Sequence, residues 1–167
     1  MVITTGSHLF RRRRRLSEMM TREQAVAVAR TWIGTPYVLG GRLKGAGIDC
    51  ATLLAEYLIE IGASERESLA VYSHDWFHHA TEERYKYALL KHARQVAETI
   101  CRGTPEARPG DLVLFKVVRS RIYNHGAIVT AWPHGIHAFD RSVAEVNLVL
   151  HAALAHTEMA IFTPWSD

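Results

Sequence analysis

The chain has 167 residues, 48% of them hydrophobic and 22% charged, with a net charge of +3, which fits one soluble domain with a sizeable core. No apolar run approaches the roughly 20 residues of a membrane-spanning helix, and two cysteines, Cys50 and Cys101, do not make a disulfide framework in a chain this long. Arg11 to Arg15 against Glu18 put +4 on residues 1–20 and leave −1 on the remainder, so the basicity belongs to an arm and gives the body no nucleic-acid footprint.

Residues 1–20 read as a basic, disordered N-terminal arm, and 21–167 as a single domain. The arm has no apolar stretch behind its arginines, so a secretory signal is not expected. The first helix is expected from Thr21, where "TREQ" forms a capping box. Ala25, Val28, Ala29 and Trp32 then recur at helical spacing until Gly34 and Pro36. A glycine-rich turn, "GTPYVLGG", follows. It does not continue into the Lys-Ser/Thr of a phosphate loop.

The second helix is expected from Cys50, with Asp49 as its N-cap, a buried face of Leu53, Leu54, Tyr57, Leu58 and Ile61, and Gly62 as its stop. Residues 63–80 read as irregular. Within them "HDWFHH" gathers His74, Asp75, His78 and His79. That cluster lacks a matching Cys/His set at zinc spacing, so no metal is expected. A third helix is expected over Glu82 to Cys101, capped by Thr81, with Tyr85, Leu89, Ala93, Val96 and Ile100 on one side. Cys101 at its end reads as a packed thiol.

After "RPGD" the period changes. "DLVLFKVV", "HGAIVTAW", "GIHAFD", "AEVNLVL" and "EMAIFT" are short β-branched and aromatic runs separated by turn signals. Helices followed by an antiparallel sheet make the fold α+β.

One of these features points to chemistry. A thiol at a helix mouth is expected to have its pKa lowered by the first-turn amides and the dipole, with Asp49 working against this unless its carboxylate is occupied. A thiolate needs a base, and the base needs an orienting partner. His125 and His137 stand twelve residues apart around the turn at Pro133 to Gly135. A hairpin of that length brings them side by side, one to face Cys50 and one to orient it.

The blocks "GTPYVLGG…GIDCATLL", "RPGDLVLF", "NHGAIVTAW" and "GIHAFD" together resemble the NlpC family of papain-like peptidoglycan cysteine peptidases. "YSHDWFHHATEERYKYALL" and "EMAIFTPW" further resemble its phage-tail and prophage branch. The resemblance implies a papain-like NlpC fold, with the nucleophile at a helix N-terminus packed on an antiparallel sheet. It implies Cys50 as nucleophile, His125 as base and His137 as orienter, with Tyr37 beside the thiol supporting the oxyanion. Asp49, meeting the free amine of the stem peptide, and Gly41 fall on the substrate side. The bond implied is that between D-glutamate and the following diamino acid. No cofactor is implied. The implied partners are the peptidoglycan stem peptide and other phage tail proteins. The protein would be made in the bacterial cytoplasm and carried on the virion.

The chain departs from the family where "DCAT" replaces "DCSG" or "DCLG". Ala51 cannot share amine recognition with Asp49, and Thr52 is larger and stiffer than glycine. That departure and the arginine arm leave open a tail protein that keeps the fold without the activity. The same residues also suit a thiol amidase or acyltransferase acting on a non-wall substrate.

Overall fold

The computed structural model describes residues 19–66, 73, 82–102 and 107–166. The arginine block, Thr81 and the His74–His79 cluster lie outside them. Helix α1 spans Arg22–Arg30 and opens on the expected capping box: Thr21 Oγ1 accepts from the Gln24 amide, and the Gln24 side chain accepts from the Thr21 amide. A short ribbon follows, β1 (Arg42–Leu43) against β2 (Gly47–Ile48). Helix α2 spans Cys50–Glu60. It ends on Gly62 at φ +82°, with Ala63 N–H donating to Leu58 O and Gly62 N–H to Ile59 O. This is the paired-bond C-cap that only a residue tolerant of positive φ closes cheaply.

The expected third helix is a seven-residue α3, Arg84–Leu90, followed by strand β3, Arg94–Ile100. The correction has a tertiary cause. Val96 and Ile100 fit a helical stripe, but the segment lies along the sheet edge, hydrogen-bonded antiparallel to β8 (Glu158–Thr163). Gln95, Ala97 and Ile100 are its less exposed residues, and ladder bonds to β8 outweigh a helical preference of tenths of a kcal/mol per residue.

The remaining strands are β4 (Leu112–Phe115), β5 (His125–Ala131), β6 (His134–Phe139) and β7 (Ser142–Asn147). They form one six-stranded antiparallel sheet in the order β3-β8-β4-β5-β6-β7. The expected strand over "AEVNLVL" stops at Asn147, because its Oδ1 accepts from the amides of Val149 and Leu150 and turns the chain.

Both faces of the sheet are covered. Leu112, Leu114, Ile128, Ile136 and Phe162 pack with Ala25, Ala29, Trp32, Leu53, Leu54 and Tyr57 of the helical layer. Val113, Phe115, Ala127, Val129 and Ile161 pack on the other face with Leu148 and Leu154. This two-sided burial explains why β4 is apolar at every position. Arg22 pins α1 to the sheet, donating to Pro109 O, Asp111 Oδ1 and Thr163 Oγ1 while lying over the Trp165 ring.

Candidate active site

Asp49 sets the start of α2. Its Oδ1 accepts from the amides of Ala51 and Thr52 and from Thr52 Oγ1, and its own N–H donates back to Thr52 Oγ1. Thr52 therefore completes a capping box. Asp49 Oδ2 accepts from Gly40 N–H at 2.6 Å, which ties the glycine turn to the helix mouth. The carboxylate is 1% exposed and engaged by its own chain. Gly41 lies so close to the next strand that a Cβ would stand 2.6 Å from Gly47 O. Any side chain there pushes the turn off the helix mouth.

Cys50 is half-buried. Its thiol reaches the Asn124 carbonyl at 3.9 Å. Burial, and after it the Asp49 charge, push the thiol pKa up to about 12. The amides of Gly126, Cys50 and Ala51 bear on the sulfur and pull the other way. This corrects the expected lowering by the helix start: desolvation and a neighbouring carboxylate outweigh the first-turn amides. Tyr37 lies in the same neighbourhood. Its phenol is pushed up to about 12 by burial and then by the charges of Cys50 and Asp49.

Two residues given no role at the site from the sequence hold this arrangement: Tyr85, expected only as an apolar helix position, and Asn124. Tyr85 of α3 donates its hydroxyl proton to Cys50 O at 2.8 Å. It packs under Gly126, where a Cβ would collide with the Tyr85 hydroxyl and stand 2.7 Å from Leu54 Cδ2. Asn124 clamps the preceding loop, its Oδ1 accepting from Val117 N–H and its Nδ2 donating to Val117 O. The Tyr85 contact spans 35 residues, and no short motif announces it.

His125 opens β5, between the two backbone groups that approach Cys50, Asn124 O and Gly126 N–H. The register Ile128↔Ile136, continued outward, sets His137 diagonal to His125, and such neighbours are within reach of long or aromatic side chains. His125 Nε2 stands 3.0 Å from His137 Nδ1. Both rings are nearly fully buried. Burial lowers His125 well below the ordinary histidine value, and the positive charges of His137 and His151 lower it further. His137 is lowered to about 4 by burial and then by His151. Phe139 stacks parallel to His137 at 5.5 Å between ring centroids. The structure thus gathers Cys50, Asp49 and Tyr37 at the helix mouth, and pairs His125 with His137 at the end of the sheet that Cys50 approaches.

No family model matches this sequence, and no curated protein does. Solved structures do match. The NlpC/p60 domain of the peptidoglycan hydrolase SagA superposes with a TM-score of 0.56 at 20% identity, over 85% of this chain and 98% of that one. NlpC2 from Trichomonas vaginalis gives 0.60 at 15% identity, over 87% and 47%. An NlpC/p60 family protein from Bacillus cereus gives 0.56 at 18%, over 85% and 40%.

The fold is that of the NlpC/p60 domains. This chain spans less than half the length of the Trichomonas and Bacillus chains. The NlpC/p60 architecture, a few helices packed on a six-stranded antiparallel sheet, is the α+β papain-like arrangement expected from the sequence. Within it, His151 is the residue that sequence reasoning missed in the ring cluster. It follows a turn and stands at no diagnostic spacing from the other two histidines. Among the described residues no helix is long and apolar enough to cross a membrane.

Proposed function

We propose that this protein is a cysteine peptidase that hydrolyses peptidoglycan stem peptides. The observation that carries the reading is the 3.0 Å pairing of His125 Nε2 with His137 Nδ1, on a strand whose flanking backbone meets the Cys50 thiol. The fold likeness to the NlpC/p60 domain of a peptidoglycan hydrolase supports the substrate class. The bond between D-glutamate and the diamino acid, and delivery by a phage tail, rest on the sequence resemblance.

In this mechanism His125 is the base. Its Nε2 is engaged by His137, so Nδ1 is the nitrogen that exchanges a proton with Cys50. Because the resting thiol and both imidazoles are neutral, the proton moves from Sγ to His125 Nδ1 as the sulfur attacks the carbonyl carbon. His137 Nδ1 accepts from the Nε2–H of the imidazolium and fixes its orientation. The Cys50 amide is the donor to the developing oxyanion, with Tyr37 in support. Collapse breaks the C–N bond, and His125 returns its proton to the departing amine. Water, deprotonated by His125, then cleaves the thioester and regenerates the thiol. Asp49 places negative charge at the helix mouth, where the stem-peptide amine enters, and Gly41 lets the glycine turn pack against Gly47 beside it.

The deciding experiment sets wild type beside Cys50→Ala on defined muropeptides, with products read by mass spectrometry. Cleavage by wild type alone supports the reading, and the fragment masses identify the bond. Equal cleavage by both forms, or none by either, rejects it.

A further inference from the structure

We propose that His151 is a positioning residue of this site: its ring packs edge-on against His137 and Phe139, and its charge acts on the His125–His137 pair. The inference rests on the cysteine-peptidase reading and adds a member to its machinery.

The turn after β7 delivers this ring. Asn147 Oδ1 accepts from the amides of Val149 and Leu150, and buried Leu148 donates its N–H to Pro133 O. The chain therefore breaks from the sheet edge at a fixed place and returns His151 over the histidine pair. There the ring stands edge to face with His137 at 4.9 Å between centroids and 88° between planes. It stands at 5.2 Å and 90° to Phe139. His125 meets the same two rings edge-on from its own strand, at 5.2 and 5.5 Å. His137 is thus enclosed by His125, by the stacked Phe139 and by His151.

A packing ring need not be histidine, but the electrostatics of this cluster respond to one. Among the described residues, the ionisable groups whose charges bear on His125 are His137 and His151, and the one that bears on His137 is His151. No carboxylate is among them. A positive charge beside the orienter therefore acts directly on the imidazolium formed on His125 during attack. His151 Nδ1 accepts from Ala153 N–H at 3.4 Å, which ties the ring to its own turn.

The test is an NMR titration of the imidazoles in the full chain, for wild type, His151→Phe and His151→Asn. Phe keeps a ring against His137 and Phe139 and cannot charge. Asn keeps an acceptor for Ala153 N–H and loses the ring. The pair is followed as a unit, because coupled groups share their titration steps. Its midpoint should rise by about one pH unit in both variants. An unmoved midpoint in a folded Phe variant would overturn the proposal, as would a rise in Phe with none in Asn. If the Phe variant does not fold, the Asn variant decides by the same criterion. The titration needs no substrate, so it is decided separately from the muropeptide experiment, whose failure would count against the peptidase reading itself.

Discussion

His125 and His137 approach each other edge to face, with Nε2 of one 3.0 Å from Nδ1 of the other. His125 is held by the Asn124-clamped loop before it and by Phe139 edge-on, and His137 by the parallel stack of Phe139. The pair is buried, so its hydrogen bond operates where water cannot substitute for it.

That setting predicts an asymmetric response at position 137. His137→Ala leaves His125 Nε2 facing a cavity, and kcat should fall on the order of 100-fold with little change in KM, since the base is misaligned and substrate contacts are intact. His137→Gln supplies an acceptor and should recover part of that loss. Steady-state kinetics on one muropeptide checks both. Equal activity for Ala and wild type would remove His137 from the mechanism.

The same burial makes stability depend on pH. His137 has a folded value of about 4 against 6.5 for an ordinary histidine. Between those values the unfolded chain binds the proton and the folded one does not. Its contribution is therefore fully present above about pH 6.5 and is lost as pH falls toward 4, by about 3 kcal/mol for this group. His125, lowered by burial in the same way, steepens the loss. Chemical denaturation at pH 7, 5.5 and 4 should show falling stability, and His137→Gln should flatten the curve. A wild-type curve already flat across this range would contradict the burial argument.

Cys50 offers a third test. With its thiol pushed up to about 12, alkylation by iodoacetamide should rise close to tenfold per pH unit from 7 to 10, because the rate follows the thiolate fraction. A preformed thiolate–imidazolium pair would instead plateau near neutrality. Cys101 is fully buried, so peptide mass mapping should find the label at Cys50. A plateau would show that the helix amides win in solution.

The parts of this arrangement legible in the sequence are local. The capping boxes at Thr21 and Asp49, the stop at Gly62, and the hairpin that carries the two histidines follow from residue types a few positions apart. What escaped depends on partners distant in sequence. Strand β3 carries a plausible helical stripe, and only its position beside β8 decides otherwise. The thiol's environment is not legible locally: the dipole of a helix start follows from neighbouring residues, whereas burial does not. His151 reaches the histidine pair through an Asn147 turn inside what looks like a continuous apolar strand.

Tyr85 shows the same dependence and gives the last prediction. Its hydroxyl donates to the carbonyl of Cys50, in the first turn of α2, and fills the space above Gly126. Nearby, Glu83 accepts from the Tyr123 amide, so the segment leading into α3 is fastened to the loop just before His125 as well as to the nucleophile. Tyr85→Phe removes the hydrogen bond while preserving the ring. Stability should fall by about 1 kcal/mol, the usual net value of one such bond. If the hydroxyl also fixes Cys50 relative to Gly126, kcat should fall several-fold with KM unchanged. Tyr85→Ala opens a cavity beside Leu54 and should cost about 3 kcal/mol. Paired denaturation and kinetics on the two variants separate the roles: a Phe variant that loses stability but keeps wild-type kcat would make Tyr85 a packing residue, with no part in holding the nucleophile.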